Sequence, residues 1–449
     1  MANINGTTGN DQGSDALVGT QDADVIRGNR GDDLLQGLGG GDELRGGQGN
    51  DSLEGGAAID LLVGGAGDDL LDGGEGDGDI ASFDHPRISN GVEANLTTGV
   101  ATDPFGDTDT LLNIEELVGS SLNDVLTGAT DSGSILAGEA GDDTLIGLSA
   151  QAGTQFDGGM GDDQITGGAS TDDVARYDGD QANFTLALSA EGATLTDRRG
   201  SEGTDTLSSV EFLDFTTELP IFGDDPMNLD TFDDASSLTA EQFAPIVELY
   251  IAYFNRAPDA IGLNFWASAF ARGEVDLAGM AELFFDQAET RSVYASSLNE
   301  DGSQITDVTA FVTEIFTNVL GRTPDQGGLD FWVGVLDRGD VTPGSAISSI
   351  IEGAKVDAPA GATQDEIDAR NLDQQYLSNA TDIGVHFAVI NGMSDTANAD
   401  AVMDLLTRSA ESVSAAVAQS DQFLTEAQAA SGGEFLMPLV GVIDDPFAG

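Results

Sequence analysis

The chain has 449 residues, of which 80 are Asp or Glu and 15 are Lys or Arg, giving a formal net charge of −65. That length suits about three domains of roughly 150 residues each, and the charge excludes a nucleic-acid binder, because phosphate contacts require clustered Lys and Arg. Cysteine is absent, which removes disulfides, thiolate metal sites and thiol nucleophiles.

The N-terminal tract repeats every nine residues. Asp15, Asp24, Asp33, Asp42, Asp51, Asp60 and Asp69 hold one register, and Leu17, Ile26, Leu35, Leu44, Leu53, Leu62 and Leu71 follow two places behind. Units such as GGQGNDSLE and GGAGDDLLD open on glycines. This period fits neither an amphipathic helix nor a hairpin. It predicts stacked turns joined by short strands, with the leucine inside and a glycine-rich turn at each edge. Residues 10–79 hold fourteen Asp and three Glu against three Arg, so stacking crowds like charges and calls for a cation between the turns. Calcium suits that place, since it takes six to eight oxygen ligands at flexible geometry and such a turn offers carbonyls beside its carboxylate.

These units resemble the RTX, or haemolysin-type, calcium-binding nonapeptide repeat. The resemblance implies a parallel β-roll, with two nonads per coil and the sixth-place aspartates as calcium ligands, several ions being bound. Units 19–27 and 55–63 depart from the pattern, and the register slips at GGEGDGD near residue 79. A looser second block, residues 119–172, adds Asp124, Asp143, Asp163 and Asp172 as candidate ligands, with irregular spacing that predicts fewer ions.

Two segments, 81–118 and 173–219, read as β inserts that extend or cap the roll. They are related by duplication: DIASFD with TDTLLNIE in the first answers DVARYD with TDTLSSVE in the second. His85, alone in the first insert, reads as a surface or packing residue. Residues 220–237 (PIFGDDPMNLDTFDDASS) read as a linker.

Beyond it the chain turns helical. Thr239-Ala240-Glu241-Gln242 has capping-box form, and Ile246, Leu249, Tyr250, Tyr253 and Phe254 recur at helical spacing. A second duplication, 66 residues apart, aligns ELYIAYFNRAPDAIGLNFW with EIFTNVLGRTPDQGGLDFW and places the chain's only two tryptophans at equivalent positions. Each copy predicts a helix, a tight Arg-x-Pro-Asp loop and a helix, with Thr323-Pro324-Asp325-Gln326 as a helix start. Loop-fixing pairs Arg256–Asp259 and Arg322–Asp325 are expected, with both tryptophans in the core. Residues 238–355 resemble the domain of unknown function 4214 family and, more distantly, phycobilisome linker domains. Further helices are expected over 356–430, and residues 431–449 form a tail.

The fold class expected is therefore multidomain: an N-terminal parallel β-roll over 1–80 with β inserts, then an all-α bundle. No H-E-x-x-H, G-x-S-x-G or phosphate-cradling Gly-Lys-Ser/Thr occurs, and no carboxylate pair stands out as a glycosidase-like acid and base, so the reading is non-enzymatic. The opening MANINGTTGNDQGSD lacks the basic and apolar stretches of a Sec signal, and no run of eighteen apolar residues occurs. By resemblance, export falls to a type I secretion machinery reading a C-terminal signal, for which residues 432–449 are the candidate. The expected role is calcium-dependent and extracellular, as a self-assembling, surface-layer-like component forming a homo-oligomer or lattice. The alternatives are an adhesin holding a cell-surface glycan or protein, and a secreted hydrolase.

Overall fold

A computed structural model describes residues 2–13, 16–86, 88–217, 225–299, 302, 304–430 and 433–448. The chain divides into two compact units, one of Met1–Gln181 with Gly192–Leu229 and the other of Ala182–Glu191 with Asp230–Gly449.

The first unit is a β-roll of two long sheets. One runs Asn3–Asn5, Val25–Arg30, Glu43–Gln48, Leu61–Ala66, Ile80–Ser82, Glu116–Val118, Ile135–Ala137, Gln155–Asp157, Val174–Asp180 and Phe212–Thr217, all parallel, with Met227–Asn228 antiparallel at its end. The other begins Leu17–Val18, Leu34–Gln36, Ser52–Ala57, Leu70–Glu75 and Thr108–Leu112. Each coil consumes two nonads, so Ile26, Leu44 and Leu62 stack in register on one side and Leu35, Leu53 and Leu71 on the other. Except Leu17, at the rim, these predicted core residues have no exposed surface. The thin core is a double file of leucines, as alternation on short strands requires.

The first insert continues the second sheet. Thr108–Leu112 pairs parallel with Leu70–Glu75, Val100–Thr102 and Glu93–Asn95 follow antiparallel, and Glu93–Asn95 then pairs parallel with Val125–Thr127 of the second block. In the second insert Gly192–Asp197 pairs antiparallel with Thr204–Ser208, which lies parallel to Gln164–Thr166.

The second unit contains helices α1 (Ala240–Phe254), α2 (Ala260–Ala271), α3 (Leu277–Phe285), α4 (Ala288–Val293), α5 (Val308–Leu320), α6 (Gln326–Asp337), α7 (Pro343–Lys355), α8 (Gln364–Gly384), α9 (Thr396–Met403) and α10 (Ala410–Ala427). Thr239 and Gln242 form the expected capping box, and Ile246, Leu249, Tyr250, Tyr253 and Phe254 are all buried. The duplication is also geometric. Asn255 and Gly321, 66 residues apart, end α1 and α5 in the left-handed conformation at φ 53° and 62°, which reverses the chain into the loop.

Several expectations change. The helix start in the second copy is Asp325, whose carboxylate accepts from the Gly328 N–H as Asp259 accepts from Gly262, and Pro324 lies before the cap rather than in the first turn. Arg256 does pair with Asp259 (3.2 Å), and also with Glu289 (2.5 Å). Arg322 pairs with Asp373 (2.6 Å) in place of Asp325, and Arg408 shares that carboxylate. The tryptophans are half-buried rather than core residues. Of the expected linker, residues 220–224 lie outside the described residues. The remainder is packed, with Met227, Leu229, Phe232 and Ala235 buried and the Ala235 N–H donating to Ser268 Oγ at 2.9 Å. Apolar residues at spaced intervals override its Pro/Asp-rich composition. The tail is packed too: Phe435, Leu436, Met437 and Leu439 are buried, and Leu436 and Leu439 bridge to Thr185 and Leu188 of strand Phe184–Ser189.

Arg256 is 4% exposed, donates to the Ala257 carbonyl and lies over the Tyr250 and Phe254 rings. Removing one partner of a buried ion pair costs about 3 kcal/mol or more. Arg256→Ala is expected to destabilise the helical unit by about that amount, and Arg322→Ala, whose side chain is more exposed, by less. Both tryptophans lie in this unit, so denaturant titration followed by tryptophan fluorescence reads the difference.

Candidate metal sites

Each coil contributes two aspartates, and the roll stacks them into two columns. In one column the backbone N–H of Asp11 donates to Asp33 Oδ1 (2.7 Å), Asp33 to Asp51 (2.8 Å), Asp51 to Asp69 (2.7 Å) and Asp69 to Asp109 (2.9 Å). In the other, Asp24 donates to Asp42 (2.6 Å), Asp42 to Asp60 (2.7 Å), Asp60 to Asp79 (2.8 Å) and Asp79 to Glu115 Oε2 (3.0 Å). One carboxylate oxygen is thus fixed by the neighbouring coil, which aims the other.

The second oxygen divides the predicted ligands into two groups. Oδ2 of Asp33, Asp42, Asp51, Asp60, Asp69, Asp143 and Asp163 is buried without a hydrogen-bond partner. In each of those turns the residue four places earlier is left-handed: Asn29, Leu38, Gly47, Gly56, Gly65, Glu139 and Gly159 all have positive φ. Oδ2 of Asp24 and Asp124 is instead bonded within the turn, by the N–H of Thr20 (2.7 Å) and of Ser120 (2.5 Å), with each hydroxyl also donating to its carboxylate. Asp11 is closed in the same way by Thr7.

The orphaned oxygens face a cradle. A Cβ on Gly55 would lie 2.5 Å from Asp60 Oδ2 and 2.7 Å from the Gly73 carbonyl oxygen, and one on Gly28 would lie 2.5 Å from Asp33 Oδ2 and 2.7 Å from that of Gly46. The first glycine of the nonad leaves room where a carboxylate oxygen and a carbonyl of the next coil converge. Among the described residues no three His, Cys, Asp or Glu side chains group as metal ligands. A donor set of carboxylate and main-chain carbonyl is what a hard cation such as calcium takes.

Electrostatics agree. Lost hydration pushes the Asp51 and Asp60 carboxyls up to about 7 and Asp69 up to about 8, with neighbouring carboxylates adding to the rise. Burial likewise raises Asp143 to about 7 and Asp163 to about 6. Asp24 moves the other way, lowered by its hydrogen bond from the Ala2 N–H.

Of the other predicted ligands, Asp15 lies outside the described residues. Asp172 is exposed and Asp173 takes the column position, its Oδ1 accepting from Thr154 N–H at 2.6 Å. The one-residue slip follows from the insertions that loosen the second block. That block keeps one carboxylate column, Asp124, Asp143, Asp163 and Asp205. Ser134 and Thr154 stand in the other, before Asp173 and Glu211. Asp79, Asp109, Asp173, Asp205, Glu115 and Glu211 also join the columns, beyond the residues that the nonad register picks out. The signal lies in the duplicated DIASFD/TDTLLNIE and DVARYD/TDTLSSVE segments, whose acidic residues extend the columns into each insert.

Residues 5–44, 45–80 and 129–149 match the family described as RTX calcium-binding nonapeptide repeat (4 copies), and residues 290–354 match the domain of unknown function (DUF4214). The chain carries RTX calcium-binding repeats. They imply calcium binding and a secreted, extracellular protein, typically exported by type I secretion, and both families are generally non-catalytic. The DUF4214 match covers the second helical copy; the first is tied to it by the internal duplication. No helix among the described residues is long and apolar enough to cross a membrane. No curated protein matches the chain.

Gly55→Ala fills one cradle and is expected to raise the calcium midpoint about tenfold, roughly 1.4 kcal/mol, whereas Gly9→Ala, with open space around it, leaves it unchanged; calorimetric calcium titration compares them. A raised carboxyl pKa stabilises the metal-free roll fully below the unfolded value of about 3.9, and that stability is lost as pH rises through about 7 to 8. Metal-free protein is therefore expected to keep its β circular-dichroism signal at pH 5.5 and lose it at pH 8.5, with calcium restoring it.

Proposed function

We propose that this is a non-enzymatic extracellular structural protein whose roll folds on calcium binding and which then self-associates at the cell surface or in matrix, in the manner of a surface layer. Extracellular calcium would neutralise the orphaned carboxylates, so the roll stays unfolded during export and orders outside.

The observation that carries self-association is helix α6. Its apolar residues include Leu329, Phe331, Trp332 and Leu336, yet only Val335 is buried, and Phe331 is 60% exposed. Its counterpart α2 buries Ala260, Leu263, Asn264, Ala267, Ser268 and Ala269. The difference has a local cause: α2 is covered by segments that bond Ser268 and Asn264, and α6 has Asp330 and Gly334 at those places. An apolar helix face left half-covered, with Phe331 outermost, on so acidic a chain is best explained by a second copy covering it.

Light scattering with negative-stain imaging, as free calcium is raised from chelated to millimolar, tests this. Sheets, filaments or defined oligomers are expected with calcium, and Phe331→Ser is expected to weaken association at least tenfold without changing calcium uptake. A monomer at millimolar calcium would reject self-assembly.

A further inference from the structure

The three arginines of residues 10–79 stand against seventeen carboxylates, yet all three line one concavity of about 810 Å³ in the first unit. Its floor is the outer face of strands Val25–Arg30 and Glu43–Gln48, where Arg27 is the register partner of Arg45, and Arg30 of Gln48. Register partners on adjacent strands lie about 5 Å apart, so the cations gather rather than disperse. His85 of the first insert, more than 35 residues further along the chain, lines the same concavity with its ring against Phe105 at 5.0 Å.

The cations are not consumed locally. Glu43 Oε1 accepts from Arg45 Nε (2.6 Å) and, more distantly, from an Arg27 terminal nitrogen (3.4 Å). A guanidinium carries five donors, so this shared oxygen and a 3.4 Å contact from Arg27 Nη1 to Asn3 Oδ1 still leave most of the donors of both groups open. Among the described residues Arg30 makes no ion pair. Asn29 gives one amide hydrogen to the Gly6 carbonyl (3.0 Å) and keeps its oxygen, while His85 Nδ1 is buried without a partner.

We propose that this cleft binds an acidic saccharide, with the Arg27 and Arg45 guanidiniums on a uronate carboxylate and Asn29, Gln48 and His85 on flanking hydroxyls. Guanidinium forks match planar carboxylates with two parallel bonds, and side-chain amides pair donor with acceptor as neighbouring hydroxyls require. The volume suits a short oligosaccharide. A peptide is disfavoured, because the floor is a sheet face offering neither a free strand edge nor an apolar anchor pocket.

The site is independent of self-assembly. The test is calorimetric titration of the full chain at saturating calcium with trigalacturonate and with its carboxyl-reduced, neutral trimer. The uronate is expected to bind at least tenfold more tightly than the neutral trimer, and more weakly as salt is raised. Arg27→Gln/Arg45→Gln keeps every aspartate, so an unchanged calcium stoichiometry and β signal show that it folds; it is expected to lose at least tenfold in uronate affinity. If the double variant misfolds, Arg30→Gln, at an exposed position, carries the same test with a smaller loss. Uronate binding that survives in the folded variants would assign it to the calcium ions and overturn the proposal. Absence of uronate binding to the unaltered protein would also overturn it, and association of copies lost in the double variant would then give the cleft to a second copy.

Discussion

The roll depends on one repeated hydrogen bond, from the backbone N–H of an aspartate to the carboxylate of the aspartate one coil further on. It fixes the spacing of successive coils and turns the remaining oxygen inward, where burial without a partner is costly. Asp51, Asp60 and Asp69 are held in carboxylate files with their neighbours close by, so the metal-free roll favours the protonated form, and a cation between the coils removes the conflict. The core cannot supply this by itself, because each nonad buries a single leucine and much of its backbone is turn. The same interaction that organises the fold therefore makes it conditional on calcium.

Within that frame the turns are not equivalent. A left-handed residue four places before the aspartate carries the local N–H away from the carboxylate and leaves Oδ2 open. Thr20 and Ser120 keep the N–H on the carboxylate and add a hydroxyl, closing the turn without a metal. The closed turns fall at the start of each block, and the open ones fall within the stacks. In the second block, Ser134 and Thr154 replace carboxylates along one edge, so charge accumulates on a single side there.

The helical unit shows how duplication and packing diverge. Both copies keep the left-handed helix end, the aspartate cap and an arginine under the loop, because these solve a local chain reversal. What each arginine meets differs: Glu289 for Arg256, Asp373 for Arg322. The environments of α2 and α6 differ further, one burying six residues against neighbouring segments of the unit and the other only Val335, although the helices descend from one pattern.

The sequence by itself determined the nine-residue period, the leucine file, the aspartate columns and the paired helical units, because each rests on local spacing. Asp33, Asp42, Asp51, Asp60, Asp69, Asp143 and Asp163 were legible for that reason. Only the tertiary structure decided which carboxylates stay open, since that turns on φ at residues such as Leu38 and Glu139, whose types do not announce a left-handed conformation. It also decided that Asp173, not Asp172, continues its column, that Asp109 and Asp205 end the files inside the inserts, and that residues 225–237 and the tail are packed. Those outcomes depend on contacts between segments far apart in the chain, as does the gathering of three scattered arginines and one histidine into a single cleft.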